Sequence, residues 1–419
     1  MAKKSKNARV PASPRESAME DGQSGLLPKL RFPEFVDEPI RTASLGEVTE
    51  ECTGRRGKQL TSAAIMGVSK ADGIVPMEER LIGKDTTRHK LLSPDWFAYN
   101  PMRINIGSIA RWRGDCDVLV SPDYMVFRCI DDHESGISAD YLDQFRSSLQ
   151  WERFVSGNGD GGVRIRIYYK DLALLSMGLP SLLEQRKIAS CLSTLDELIG
   201  SQGRKVAALR IHKKGLMQQL FPREGETQPR LRFPEFQDAG DWEVKPLGKV
   251  AENLDSQRVP ITSSDRKAGS IPYYGASGIV DYVDGFIFDE ELLCVSEDGA
   301  NLVARNYPIA FPISGKTWVN NHAHVLRFDN PYRQKFIELY LNLIKLDDFI
   351  TGMAQPKLNR TMLDRIPIPF PDISEQQRIA SCLSSLDELI TAETQKLEAL
   401  KTHKRGLMQQ LFPSPEDAS

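Results

Sequence analysis

Residues 184–222 read EQRKIASCLSTLDELIGSQGRKVAALRIHKKGLMQQLFP, and residues 375–413 read EQQRIASCLSSLDELITAETQKLEALKTHKRGLMQQLFP. The offset is 191 residues with no gap, and 26 of the 39 positions are identical. In the first copy Ile188, Leu192, Leu195, Ile199, Val206, Leu209, Leu216 and Leu220 fall on a 4-3-4-3 register, with Gln202 and Lys213 in two polar slots. In the second, Ile379, Leu383, Leu386, Ile390, Leu397, Leu400, Leu407 and Leu411 keep that register around Glu393 and Lys404. A 3.5-residue period sustained over about five heptads predicts a coiled coil. Ser181 with Glu184 and Asp372 with Glu375 have capping-box spacing, just after Pro180 and Pro371. Both copies stop at Phe-Pro, where proline cannot continue a helix.

Gly200 and Gly203 fall within the first helix, where the second has Thr391 and Thr394. Each glycine costs about 1 kcal/mol against alanine, so loosening is expected there. Apolar seams this long have only each other to pack on. The chain must leave one helix end, traverse the intervening block and return to the start of the other, which predicts antiparallel pairing. A helix over 184–220 would be about 55 Å long at 1.5 Å per residue, a rigid rod between two domains.

Working outward, PKLRFPEF (28–35) is echoed by PRLRFPEF (229–236), and Leu45-Gly46 by Leu247-Gly248. The repeating unit is therefore a divergent block followed by a near-constant helix. The expected boundaries are a disordered tail (1–27), a first globular domain (28–180), a first spacer helix (181–222), a second globular domain (223–370), a second spacer helix (371–413) and a short tail (414–419). In the first block, 71–77, 103–112, 117–130 and 163–169 are predicted strands, and 141–154 a short helix. In the second, 270–283, 291–296 and 324–328 are predicted strands, and 336–348 a helix. The expected fold class is α+β: two mixed α/β domains with a long antiparallel two-helix coiled coil, arranged as a pseudo-twofold repeat.

At 419 residues, 40% hydrophobic and 26% charged, the chain suits two globular domains plus connectors. No stretch approaches the roughly 18 consecutive apolar residues of a membrane span, and the lysine-bearing start has no apolar run after it to make a secretory signal. The cysteines (Cys52, Cys116, Cys129, Cys191, Cys294, Cys382) contain no C-x-x-C pair, which argues against a zinc ribbon or a disulfide framework and predicts a reducing, cytoplasmic setting. Net charge is −3, so bulk electrostatics do not favour nucleic acid and any DNA-binding edge must be local.

Two local edges qualify. Arg146, Arg153, Arg164, Arg166 and Lys170 surround a glycine-rich stretch, SGNGDGG (156–162), whose amides suit phosphates. In the second block, Gln355, Lys357, Asn359 and Arg360 cluster near the block's end, and Tyr273 with Tyr274 joins them as a candidate contact. Asn and Gln can read adenine edges, and Arg guanine edges. The competing reading is an ordinary solvated loop.

No catalytic constellation emerges, and no metal set. Gly315-Lys316-Thr317 lacks the first glycine of a phosphate loop, since Ala310 stands there. Asn330-Pro331-Tyr332 lacks the second proline of the adenine-methyltransferase tetrapeptide. His322 and His324 alternate on one strand without a Cys or a third His nearby, which favours a turn or core role.

On these residues the chain resembles the specificity subunits of Type I restriction-modification systems. The resemblance rests on the repeated LDELI and HK[KR]GLMQQLFP, on EQRKIA (184–189) and EQQRIA (375–380), and in the second block on IPYYGASGI (271–279), EDGANL (297–302), VNNHAH (319–324) and QPKLNR (355–360). The first block carries NIGSIA (105–110) and VSPDYMVF (120–127), similar to another recognition type, but ends in GGVRIRI (161–167) instead of the QPKLNR form. The resemblance implies a non-catalytic subunit in which each domain reads one half of a bipartite double-stranded DNA site. The paired helices would set the spacing and dock two methyltransferase subunits, and restriction/translocase subunits can join. S-adenosylmethionine and ATP would then be used by the partners, with no cofactor in this chain. The alternatives are a stand-alone two-domain DNA-binding regulator and a protein-binding coiled-coil scaffold.

Overall fold

The computed structural model describes residues 27–55, 65–78, 82, 86–130, 136–157, 166–352 and 355–412. The chain divides into two compact units, Met1–Ser201 with Lys396–Ser419, and Gln202–Gln395.

In the first unit the strands are β1 (Arg41–Ser44), β2 (Thr49–Glu51), β3 (Ile65–Ser69), β4 (Gly73–Pro76), β5 (Lys90–Leu92), β6 (Phe97–Tyr99), β7 (Ile109–Arg111), β8 (Val118–Val120), β9 (Met125–Cys129) and β10 (Ser176–Leu179). Helices α1 (Leu45–Val48), α2 (Ala139–Phe145), α3 (Leu149–Gly157) and α4 (Tyr169–Leu172) lie between them, before the long α5 (Leu182–Leu220). The second unit holds β11 (Glu243–Pro246), β12 (Glu252–Asn253), β13 (Ala268–Gly275), β14 (Gly278–Val283), β15 (Phe288–Asp289), β16 (Leu292–Ser296), β17 (Ala310–Ile313), β18 (Lys316–Val319), β19 (Ala323–Arg327) and β20 (Pro367–Phe370). Its helices are α6 (Asn301–Ala304), α7 (Pro331–Leu343) and α8 (Arg360–Arg365), followed by the long α9 (Ile373–Leu411).

The two divergent blocks share one topology, strand for strand. Sheet order β2-β9-β6-β7 in the first unit matches β12-β19-β16-β17 in the second, β4-β3-β8-β5 matches β14-β13-β18-β15, and the pair β1-β10 matches β11-β20. Among the described residues the one parallel contact in each unit falls at the same place, β3 with β8 and β13 with β18. Even the hairpin turns agree. Gly73 and Gly278 each open a Gly-Ile-Val strand at positive φ (73° and 107°), where a side chain would be strained.

Both long helices are continuous. The first runs unbroken through Gly200 and Gly203 despite their low propensity, since beside them the Gln202 side chain donates across to the Glu393 carbonyl (2.9 Å) and carboxylate (2.6 Å). Residues 182–201 of α5 belong to the first unit with 396–411 of α9, and 202–220 belong to the second with 373–395. The helices run antiparallel in each unit: Lys404 meets Asp196 at 2.6 Å in the first, and Lys213 meets Asp387 at 2.5 Å in the second. The apolar seam positions are buried or half-buried, while the residues flanking Leu195, Ile199, Leu397 and Leu400 are mostly exposed.

The helix ends finish the cores of the two units. Phe412 packs edge-on to Tyr141 (5.3 Å between ring centres) in the first, and Phe221 lies against Phe336 (5.0 Å) in the second. Each LRFPEF segment then clamps a helix start. Arg31 grips Glu184 through Nε (2.9 Å) and Nη2 (2.5 Å), and Arg232 grips Glu375 at 2.9 and 2.8 Å. The same segments reach the end of the antiparallel partner helix, since Leu30 N–H donates to the Gln410 carbonyl and Leu231 N–H to that of Gln219. The glutamates at capping-box spacing thus serve the arginines.

Several local expectations need correction. Residues 166–168 form no strand, and Tyr169–Leu172 is a helical turn; residues 163–165 lie outside the described residues. Within 103–112 only Ile109–Arg111 is a strand, because Ile104–Ile106 makes a 3-10 turn that Gly107 closes at φ 92°. The helix expected over 141–154 is two helices, and Ser148 Oγ restarts the second by accepting from Trp151 N–H. The helix expected over 336–348 starts at Pro331 and ends at Leu343, because the Asn330 side chain caps it by accepting from the Tyr332 and Arg333 amides. The Asn-Pro-Tyr tripeptide is thereby accounted for as a helix start.

Candidate nucleic-acid interface

In the second unit, the loop 355–360 is held by backbone groups of Glu297, Gly299 and Thr351 and by the His324 side chain. Leu358 is its anchor: its side chain is fully buried, its N–H donates to the Glu297 carbonyl (2.7 Å), and its own carbonyl lies 2.7 Å from His324 Nε2. Gly299 N–H donates to the Pro356 carbonyl, and Thr351 and Lys357 exchange a reciprocal pair of backbone hydrogen bonds at 2.8 Å. Beneath lies a polar cluster of Asp255, Arg258, Glu297 and His324. His324, on β19, is 1% exposed, and its Nδ1 sits 2.6 Å from Asp255 Oδ2. Arg258 joins Glu297 at 2.8 Å and Asp255 at 3.4 Å. Burial alone would raise the Asp255 carboxyl, but hydrogen bonding and charge from His324, with the Val325 amide and Arg258, hold it below the usual carboxylate value.

Asp255, Glu297 and His324 bring together the donor types a metal ion could use, with ligand atoms within 4.8 Å of one another. The guanidinium of Arg258 already supplies the positive charge there, so the cluster is complete as a protein network.

What the loop presents is polar. Gln355, Lys357 and Arg360 are exposed; Lys357 reaches Glu297 at 3.3 Å and Arg360 reaches Asp364 at 3.7 Å. Asn359 is instead committed to the fold, capping α8 by accepting from Met362 N–H. Tyr273 is also internal, 1% exposed, with its hydroxyl accepting from Ile261 N–H and Arg266 stacked 4.6 Å over its ring. Tyr274 is half-buried against Phe311.

In the first unit, Arg146 is a scaffold residue. It bonds Asp143 at 2.6 Å and the Ile109 carbonyl at 3.2 Å, while Arg113 takes the other Asp143 oxygen at 2.5 Å. Burial pushes the Asp143 carboxyl up, and the charges and hydrogen bonds of Arg146 and Arg113 more than reverse this. Arg153, Arg166 and Lys170 are exposed. Arg164 and residues 158–162 of the glycine-rich stretch lie outside the described residues.

The sequence reading singled out the exposed loop but missed the cluster under it. The signal was present in the EDGANL, VNNHAH and QPKLNR segments, which begin or end at Glu297, His324 and around Leu358. Nothing in their spacing says that they meet.

Two similarly folded mixed α/β domains, each joined to a long helix, define a class of twice-repeated modular proteins. Residues 239–402 match the family described as the Type I restriction modification DNA specificity domain. A type I restriction enzyme specificity subunit of Haemophilus influenzae is 38% identical over 152 residues, covering 36% of this chain and 39% of its own length. One from Methanocaldococcus jannaschii is 26% identical over 266 residues, covering 57% and 61% respectively. The alignments thus span less than two-thirds of the length of these relatives. In fold, the chain is similar to the crystal structure of a Type I restriction-modification S subunit from M. genitalium (TM-score 0.59, 14% identity, 93% of this chain and 100% of that one). It is also similar to a chain from a structure of the assembly and conformational transition of a type I restriction-modification system (TM-score 0.54, 15% identity, 89% and 97%). The resemblance to Type I specificity subunits read from the repeats is therefore shown.

Proposed function

We propose that the chain is the DNA-reading subunit of a Type I restriction-modification enzyme and catalyses nothing itself. Each recognition domain reads one half of a bipartite duplex site, the antiparallel helices set the gap between halves, and the helices also dock two methyltransferase subunits. S-adenosylmethionine and ATP belong to the partner subunits, which carry the adenine methylation and, where a translocating nuclease joins, the cleavage. The chain itself holds no cofactor and works in the cytoplasm.

The observation that carries this reading is one strand topology used twice with different sequences, each copy followed by a near-identical helix. A constant framework with divergent loops suits two readers of different sequence. Net charge of −3 fits contacts made locally, by side chains such as Gln355, Lys357 and Arg360, which combine amide and cationic groups.

The test is to express the chain with its methyltransferase subunits and map methylated adenines across the host genome. A two-part motif with a fixed gap is expected, lost when the chain is omitted. Methylation that persists without the chain would refute the assignment. Tight selection of a duplex site by the purified chain alone would favour a stand-alone regulator.

A further inference from the structure

We propose that His324, carrying a proton on both ring nitrogens, is the positioning residue for the reading loop 355–360 of the second recognition domain. This rests on the proposed DNA-reading role, but its core is geometric. His324 Nδ1 lies 2.6 Å from a carboxylate oxygen of Asp255, and Nε2 lies 2.7 Å from the Leu358 carbonyl. Neither partner has a hydrogen to give: Asp255 accepts from the Val325 amide at Oδ1 and lies 3.4 Å from the Arg258 guanidinium at Oδ2, as an ionised carboxylate does, and a backbone carbonyl only accepts. Both ring nitrogens must therefore donate. A neutral ring would set one lone pair against an acceptor inside a site that is 1% exposed, a costly arrangement away from water.

Carboxylates from two segments face the ring: Asp255 from the 3-10 turn after β12, and Glu297, just after β16, at 3.8 Å; Arg258 and Lys357 pair with the same carboxylates. The neighbouring His322 is turned outward to Asp298 at 2.7 Å and does not share the site. The imidazolium thus ties β19 and the Asp255 turn to Leu358, while Glu297 holds the same residue through its backbone carbonyl. Leu358 lies between the exposed residues Lys357 and Arg360 and three residues after Gln355. Fixing its carbonyl fixes the plane in which those side chains leave the loop. A displacement of about 1 Å there would spoil bidentate base contacts while leaving phosphate contacts largely intact.

Two measurements test this. In the wild-type chain with 15N-labelled histidine, long-range 1H–15N spectra at neutral pH should show both ring nitrogens of His324 protonated, assigned by the signals missing from His324→Gln. A singly protonated ring would overturn the proposal, and this result needs no DNA; should His324→Gln not fold, the five other histidines are replaced one at a time to complete the assignment by elimination. In the second, wild type and His324→Gln, each assembled with methyltransferase subunits, select from a random duplex library. The variant should lose roughly tenfold in base preference at one half of the motif and keep the other half. Unchanged preference at both halves would overturn the positioning role and leave the proposed function standing. Failure of the wild type to recover any two-part motif would remove the function itself, and the positioning role with it.

Discussion

The arginine–glutamate clamps show how a short sequence echo becomes architecture. Arg232 and Glu375 are 8% and 3% exposed, joined by two hydrogen bonds, and Trp242 Nε1 adds a third to the same carboxylate at 3.1 Å. Removing one partner leaves a buried charge uncompensated, so Arg232→Ala is expected to destabilise the second unit by about 3–5 kcal/mol, read as a lower denaturant midpoint. Around the clamps sit matching outer contacts: Lys187 with Glu34 (3.1 Å) and over Phe32, and Arg378 with Glu235 (3.0 Å) and over Phe233. Asp143 supports a pH prediction. Its folded value lies below the unfolded one, near 3.9, so its pairing with Arg146 and Arg113 contributes fully above that pH and is lost as acid takes the carboxyl through its lower folded value. Asp143→Asn should therefore be less stable than wild type at neutral pH, and the gap between their denaturant midpoints should shrink as pH falls through the folded value of Asp143; a gap that stays constant into acid would contradict the pairing. At this scale the sequence was only partly legible. LRFPEF and the helix-start glutamates were each visible, but their pairing spans 153 and 143 residues, beyond any local pattern.

In the long helices, the period that predicted a coiled coil also located its polar rungs. Lys213–Asp387 and Lys404–Asp196 are equivalent pairs under the 191-residue repeat, and Gln202 meets Glu393, its own counterpart. Such rungs lower stability in return for a fixed register. Replacing Gln202 and Glu393 together by leucine should raise the thermal midpoint, by up to about 1–4 kcal/mol of stability, while engineered cysteine pairs across the seam begin to cross-link out of register. A lower midpoint would contradict that role. The helices were legible because one face repeats over many turns. The short strands were less so. A three-residue strand such as β6, buried at every position, carries no alternation to read, and the expected start of α7 at 336 is late because the turn before it, capped by Asn330, carries little apolar periodicity.

Across the whole molecule, the shared topology of the two units was not readable from their sequences, because sheet cores accept many apolar residues and the loops between them differ. What was legible was the repeat that brackets them. If the paired helices are the ruler of the proposed site, their length must be written in the DNA. A seven-residue insertion in one helix alone should misalign the seam and abolish assembly with the methyltransferase. One heptad added at matching points of both helices lengthens the pair by about 10 Å, or roughly three base pairs at 3.4 Å each. Mapping methylated adenines with this doubly extended chain should return the same two half-sites separated by a longer gap, and an unchanged gap would contradict the account.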